Sequence, residues 1–508
     1  MSIRLKFIFI SILLFGCSSK NDPNTFVIAF SSDIRGFDPA FATDLRTGKI
    51  VSLLYDNLVR FDESMELIPS LASKWETNDI GTEYTFHIKE NCEFHDGEKI
   101  TADDVIFSFK RILSSATHSP QTWLLDKIKG ADHFMSGRSD DLDGLYTPNE
   151  FTVIIELNEP FAPFLQYLAM PSTAIVNKKQ IGSIKTTPAG SGPWKLAEWE
   201  RDGKITLVSN NDYWSDEPSV EKMEIRILSE TMTQSAEFES GSLDILEIPP
   251  GELTFWEQRG HDLTHVNELN IWYVGMNCSR EPFNDIRVRK AMNYAVDREK
   301  IIQMILNNTA VIANGPVPPQ LTKALQTQYY PYDPKRAIKL LDDAGYPNGL
   351  RAELHVAGGS GMFQVLEALQ SDWASVGIDV QIKRSDWNVF KTSVKEGKPD
   401  LYYLDWFADY PDGENFLYPL FHSKESMKKR NRFSDSTIDK MIEEIQQMAH
   451  GNERDILIDK TNALIANKAP WVFLWHSKTM YLKQDDITGF SPSPIFNANR
   501  YTGIKKRS

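Results

Sequence analysis

Two apolar periods alternate along nearly the whole of this chain, and that alternation narrows its fold more than any other property. Tyr84, Phe86 and Ile88 alternate with polar neighbours, as do Phe151, Val153, Ile155 and Leu157, and Ile378, Val380 and Ile382. A period of two is that of strands with one buried face. Between such stretches the period lengthens to that of a helix. Thr101 stands where a helix cap is needed, with Asp104 at the capping-box position and Val105, Phe109 and Ile112 on one face. Asp333-Pro334 opens another helix, whose Ala337, Leu340, Leu341 and Ala344 keep helical spacing until Gly345 ends it. The class is therefore α/β. At 508 residues the chain exceeds what one hydrophobic core serves, so two or more domains are expected. Gly315–Pro319 and Pro347–Gly349 read as loops, and Pro188–Pro193 as a turn joining two parts of the chain.

The first residues are an address. Arg4 and Lys6 precede an apolar run from Phe7 to Phe15, then Gly16 and Cys17. This is the layout of a secretory signal, and the run is far short of the roughly 20 residues that cross a bilayer. Leu14-Phe15-Gly16-Cys17 resembles the lipobox of bacterial lipoproteins, so residues 1–16 are expected to be removed and Cys17 lipidated. The formal net charge of −15 becomes more negative once Arg4 and Lys6 leave with the signal, which argues against nucleic acid as a partner. No later segment is long and apolar enough to span a membrane. Cys92 and Cys278 are the other thiols; an oxidising compartment allows a disulfide between them, and two idle thiols are the plainer reading.

Catalytic signatures are mostly missing. No phosphate-binding Gly-x-x-x-x-Gly-Lys loop and no His-Glu-x-x-His helix occurs, and Gly358-Gly359-Ser360-Gly361 reads as a turn, lacking the last glycine of a nucleophile elbow. His87 and His95, eight positions apart, do not make a metal site, and no cofactor is implied. Asp409, Asp412 and Glu414 form an acidic cluster among aromatics. Paired carboxylates are what glycoside hydrolysis uses, so a secreted hydrolase is the enzymatic alternative.

Several blocks of sequence share one source. Leu71-Ala-Ser-Lys-Trp-Glu76, Tyr84 to Lys89, Phe94-His-Asp-Gly-Glu98 and Thr101 to Arg111 together resemble the signature of the peptide and nickel class of extracellular solute-binding proteins, the receptors of ABC importers. Gly190-Ser-Gly-Pro-Trp194 with Asn211-Asp-Tyr-Trp214 is similar to a second block of that family, Val288 to Arg298 to a third, Tyr332 to Tyr346 to a fourth and Trp373 to Ile378 to a fifth. The resemblance covers nearly all of the chain after the signal. It implies a two-lobe periplasmic-binding-protein fold of type II, with an extra α+β domain inserted in the first lobe. The first lobe is expected at residues 18–57, 178–262 and 479–508, the inserted domain at 58–177, and the second lobe at 263–478. Ligand contacts with both lobes bias such a hinge toward closure, and the partners implied are permease and ATPase subunits. The receptor itself is expected to be a lipid-anchored monomer outside the cytoplasm.

The resemblance also supplies a site. A short peptide lies extended between the lobes, paired with Asp33 in one strand and with Asp405, Trp406 and Phe407 in another, so that main-chain bonds hold it without reading side chains. Asp409 matches the aspartate that accepts the peptide's ammonium group. Trp406 is expected to wall a side-chain pocket, and Trp387 to contribute beyond it. The family's carboxylate clamps, however, are absent. The loop Ala357–Met362 carries no basic residue, and the position six before Asp409 is Tyr403. Arg280 and Arg384 are the substitutes considered. An amine, sugar or nickel chelate is the alternative ligand on the same fold.

Overall fold

The computed structural model of the protein describes residues 22, 24–322, 329–358, 362–425 and 430–507; Cys17 and the Gly359–Gly361 turn lie outside them. The patterns read from the sequence mark real elements. Helix Ala102–Leu113 begins in a capping box, Asp104 accepting from the Thr101 backbone at 2.9 Å. Helix Pro334–Asp343 runs until Gly345, whose φ of 94° no β-carbon would favour. Strands Glu83–Ile88, Thr152–Glu156 and Ile378–Ser385 fall on the three alternating stretches.

Two α/β lobes and an inserted domain carry the architecture. In the first lobe a sheet runs in the order Thr25–Phe30, Lys222–Ile227, Lys204–Ser209, Trp194–Glu200. Phe26, Trp194, Leu207 and Met223 are fully buried with helix Leu45–Leu54 beneath them. The Gly190-to-Trp194 block is there for close packing. A β-carbon on Gly190 would lie 1.9 Å from the Leu54 carbonyl oxygen, and one on Gly192 would lie 2.4 Å from that of Leu53. The Asn211-to-Trp214 block ties down the C-terminal segment. Tyr213 and Trp214 donate to Asp56 at 3.0 and 3.2 Å, and Arg500 donates to the same carboxylate and to the Tyr55 carbonyl.

The inserted domain is an antiparallel sheet, Ala72–Thr77, Glu83–Ile88, Thr152–Glu156, Leu145–Asn149, with Val105, Phe109 and Ile112 of the capped helix packed in its core. A mixed sheet runs in the order Ile245–Glu247, Trp471–Lys483, Asn270–Met276, Leu401–Phe407, Leu350–Ala357, Ile378–Ser385, and carries the second lobe, its first strand coming from a first-lobe segment. Strand Trp471–Lys483 is shared between the lobes. Its start pairs with Asn270–Met276, its middle with Thr264–Asn267, and its end with Ile245–Glu247, which joins Val27 of the first lobe in a common apolar cluster.

The inserted domain also leans on the second lobe, which its place in the sequence does not reveal. Tyr167 meets Tyr410 edge to face at 5.1 Å, Gln166 donates to Asp412 at 3.3 Å, and the Ala162 amide donates to the Gln446 carbonyl at 2.7 Å. Cys92 and Cys278 are free thiols. Burial pushes the first up to about 12 and the second to about 11, so both are inert at neutral pH. Among the described residues no helix is long and apolar enough to cross a membrane.

Candidate functional site

Strand Leu401–Phe407 pairs along its whole length with Asn270–Met276, from Asn270 opposite Phe407 to Met276 opposite Leu401. On its other side it meets Leu350–Ala357 only at Leu401 and Tyr402. From Tyr403 onward no strand of the described residues covers that second edge. A bare edge of this kind presents backbone donors and acceptors to whatever extended chain is laid along it.

Alternation along the strand divides its side chains. Trp406 shares a face with Ile271 and Tyr273, while Asp405 and Phe407 share the opposite face with Trp272. Burial raises the Asp405 carboxyl above its ordinary range, an effect that Arg430 partly offsets. Beyond the strand the chain turns at Pro411-Asp412-Gly413, and the buried Asn415 reaches back to it. The Asn415 side-chain oxygen accepts from the Trp406 indole at 3.3 Å and from the Asp409 amide at 3.0 Å. One amide therefore fixes both residues, and Trp406 and Asp409 are held as a unit.

The other two carboxylates of the acidic cluster are committed elsewhere. Asp412 pairs with Arg454 at 2.9 Å, both side chains being 2% exposed, and caps the turn at the Glu414 amide. Glu414 is fully buried and accepts from Tyr410 and from Gln446. Burial, then the charge of Asp412, pushes its carboxyl up to about 7, against the donation from Tyr410 and Gln446 and the charge of Arg454. Two carboxylates held this way brace the turn.

The remaining residues expected in the site are scattered more widely. Asp33 belongs to the first lobe, where it accepts from the Trp199 indole at 3.1 Å and the Asp202 amide at 3.0 Å. Its carboxylate is satisfied there, so what it can offer a ligand is the backbone around it. Trp387 is 49% exposed at the start of helix Trp387–Lys395, stacked on Phe390. No ring contact joins it to Trp406 among the described residues. Arg280 is exposed and donates to the Lys398 carbonyl, and Arg384 is exposed and lies over the Phe363 ring. Neither joins Trp406 and Asp409. Arg430 does reach Trp406: its guanidinium lies 5.5 Å from the Trp406 ring and donates to the Tyr273 hydroxyl at 3.0 Å. Sequence reasoning passed over it because it sits in the run Lys428-Lys429-Arg430-Asn431-Arg432, which reads as a solvated basic stretch. Among the described residues no cluster of His, Cys, Asp and Glu is gathered as a metal site.

Residues 66–428 match the profile of the bacterial extracellular solute-binding proteins, family 5 Middle. The chain belongs to this family. The solute-binding protein is 28% identical over 523 residues to the heme-binding protein A of Haemophilus influenzae, covering 96% of this chain and 93% of that one. It is 25% identical over 516 residues to the dipeptide-binding protein of Escherichia coli, covering 96% and 95%. Its two-lobe fold superposes with a TM-score of 0.80 on an ABC transporter-associated periplasmic binding protein of Helicobacter pylori in complex with the peptide STSA, at 25% identity and over 95% of this chain and 98% of that one. A dipeptide-binding protein of Pseudoalteromonas in complex with Met-Leu gives 0.78, at 25% identity, over 95% of this chain and all of that one.

Proposed function

We propose that this solute-binding protein is the receptor of an ABC importer, capturing short peptides between its lobes and delivering them to the permease. The observation that carries the reading is the bare edge of strand Leu401–Phe407, which runs on to Asp409. An extended peptide laid there gains main-chain hydrogen bonds whatever its side chains, and its ammonium group reaches a carboxylate. The peptides bound by two of the structural relatives support the same reading. Asp405, Trp406 and Phe407 line the strand side, the backbone at Asp33 faces the peptide from the first lobe, and Trp387 lies further out.

In this scheme residues 18–57, 178–262 and 479–508 move as the first lobe, 58–177 as its inserted domain, and 263–478 as the second lobe. The hinge lies where strands Thr264–Asn267 and Trp471–Lys483 cross between them. A diacylglyceryl group on Cys17 tethers the mature chain to a membrane outside the cytoplasm, and ATP hydrolysed by separate subunits drives import.

Mass spectrometry of the molecule retained by residues 18–508 after secretion tests this directly. Peptides of a narrow length range are expected. Their affinity should fall about tenfold or more in Asp409→Asn and on N-acetylation of the peptide. A sugar, an amine, a metal chelate or a tetrapyrrole in their place refutes the peptide assignment and leaves the fold intact.

A further inference from the structure

The guanidinium of Arg430 differs in its company from the arginines buried deepest in the fold, and it differs from the half-buried Arg46 and Arg60, each of which likewise has a single neutral partner, in lying beside an indole ring. Arg454 pairs with Asp412, Arg500 with Asp56 and Arg111 with Asp38. Arg289 donates to the carbonyls of Phe283, Asn284, Lys468 and Ala469, and Arg298 to those of Asn293, Val296, Tyr330 and Phe473. Arg430 is half-buried against Tyr273, Tyr402 and Trp406, yet it donates to a single neutral hydroxyl and otherwise faces an indole ring. Among the described residues no carboxylate lies within ion-pair distance of it; the charge of Asp405 supports it only from further off, and the stretches outside the described residues contain no Asp or Glu.

A cation taken out of water is stable only where a counter-charge or several dipoles replace the water it loses. Arg430 has one such partner and a planar fork of donors left over. The indole face beside it attracts the cation and keeps it from swinging away. It also stands on the same side of strand Leu401–Phe407 as Trp406, the residue that Asn415 ties to Asp409.

We propose that Arg430 is the anion-binding residue of the cleft, taking the C-terminal carboxylate of a short peptide whose ammonium group is held by Asp409. The assignment rests on the peptide reading and deepens it. A carboxylate matches the arginine fork with two parallel hydrogen bonds, which a neutral amide cannot make. An anion site beside such a carboxylate selects peptides that carry both a free ammonium and a free carboxylate group.

A tripeptide library made once as free acids and once as C-terminal amides provides the probe, read by mass spectrometry of the fraction retained on the protein. The wild type is expected to prefer the acids by about tenfold or more. Arg430→Gln should lose that preference and bind both forms alike, and Arg430→Lys, which keeps the charge without the fork, should recover part of it. Thermal melting of each variant separates lost recognition from lost folding. If Arg430→Gln still binds and keeps the acid preference, Arg430 is not the anchor, while the peptide reading stands. If the wild type retains neither library, the peptide reading fails and this assignment falls with it.

Discussion

Replacing Glu414 by glutamine removes a buried carboxylate while keeping its shape. In the folded protein this carboxyl ionises near 7, and in the unfolded chain near 4.5. Below about 4.5 both states hold the proton, and Glu414 has no influence on the balance between them. As pH rises from 4.5 to 7 the unfolded chain releases its proton first, so stability falls; above 7 the whole cost of the buried charge is present. At 1.36 kcal/mol per pH unit the gap corresponds to about 3 kcal/mol. Glutamine cannot ionise, and its amide can donate to Tyr410 while its carbonyl accepts from Gln446. Urea unfolding of wild type and Glu414→Gln at pH 5 and pH 8 checks the reasoning. The wild type should lose about 2.5 kcal/mol more than the variant between the two pH values, since at pH 5 the unfolded chain has already released much of its proton. Burial also raises Glu268 to about 7, but that carboxyl is common to both proteins and cancels in the comparison. Equal losses in the two proteins would mean that Glu414 is solvated or already paired, and the account of the turn would be wrong.

Arg454→Leu should lower stability by about 3–5 kcal/mol, because it leaves the Asp412 carboxylate buried without its partner; the melting temperature reads this. Gly192→Ala forces a β-carbon against the Leu53 carbonyl, and its yield of folded protein should collapse, as judged by gel filtration. Asn415→Ala releases both Trp406 and Asp409, so calorimetric titration with the retained peptide should show affinity reduced about tenfold.

The sequence revealed the class of fold because period and punctuation act locally. A capping box at Thr101, a proline at the start of helix Pro334–Asp343 and a glycine at its end depend on near neighbours alone. That Trp406 and Asp409 lie close together was also legible, since they share one short segment, although the amide that holds them together was hidden in a turn that reads as solvated. Arg430 was lost for a similar reason. Nothing in a basic run marks which member turns inward, and the hydroxyl it donates to, that of Tyr273, comes from strand Asn270–Met276, more than a hundred residues earlier. Asp412 and Glu414 show the reverse: as sequence each offered Asp409 a second carboxylate, and only Arg454, Tyr410 and Gln446 reveal them as supports of the turn.

Strand Trp471–Lys483 sits inside the largest sheet with partners from residues 245–247, 264–267, 270–276 and 310–312. Each of those segments leaves the ribosome long before the strand that completes them. During synthesis the sheet therefore has a gap between Ile245–Glu247 and Asn270–Met276 until more than nine-tenths of the chain exists. Contacts so distant in sequence form late and slowly. A chain lacking its last forty residues has neither lobe closed, so premature termination yields material for proteolysis and not a half-active receptor.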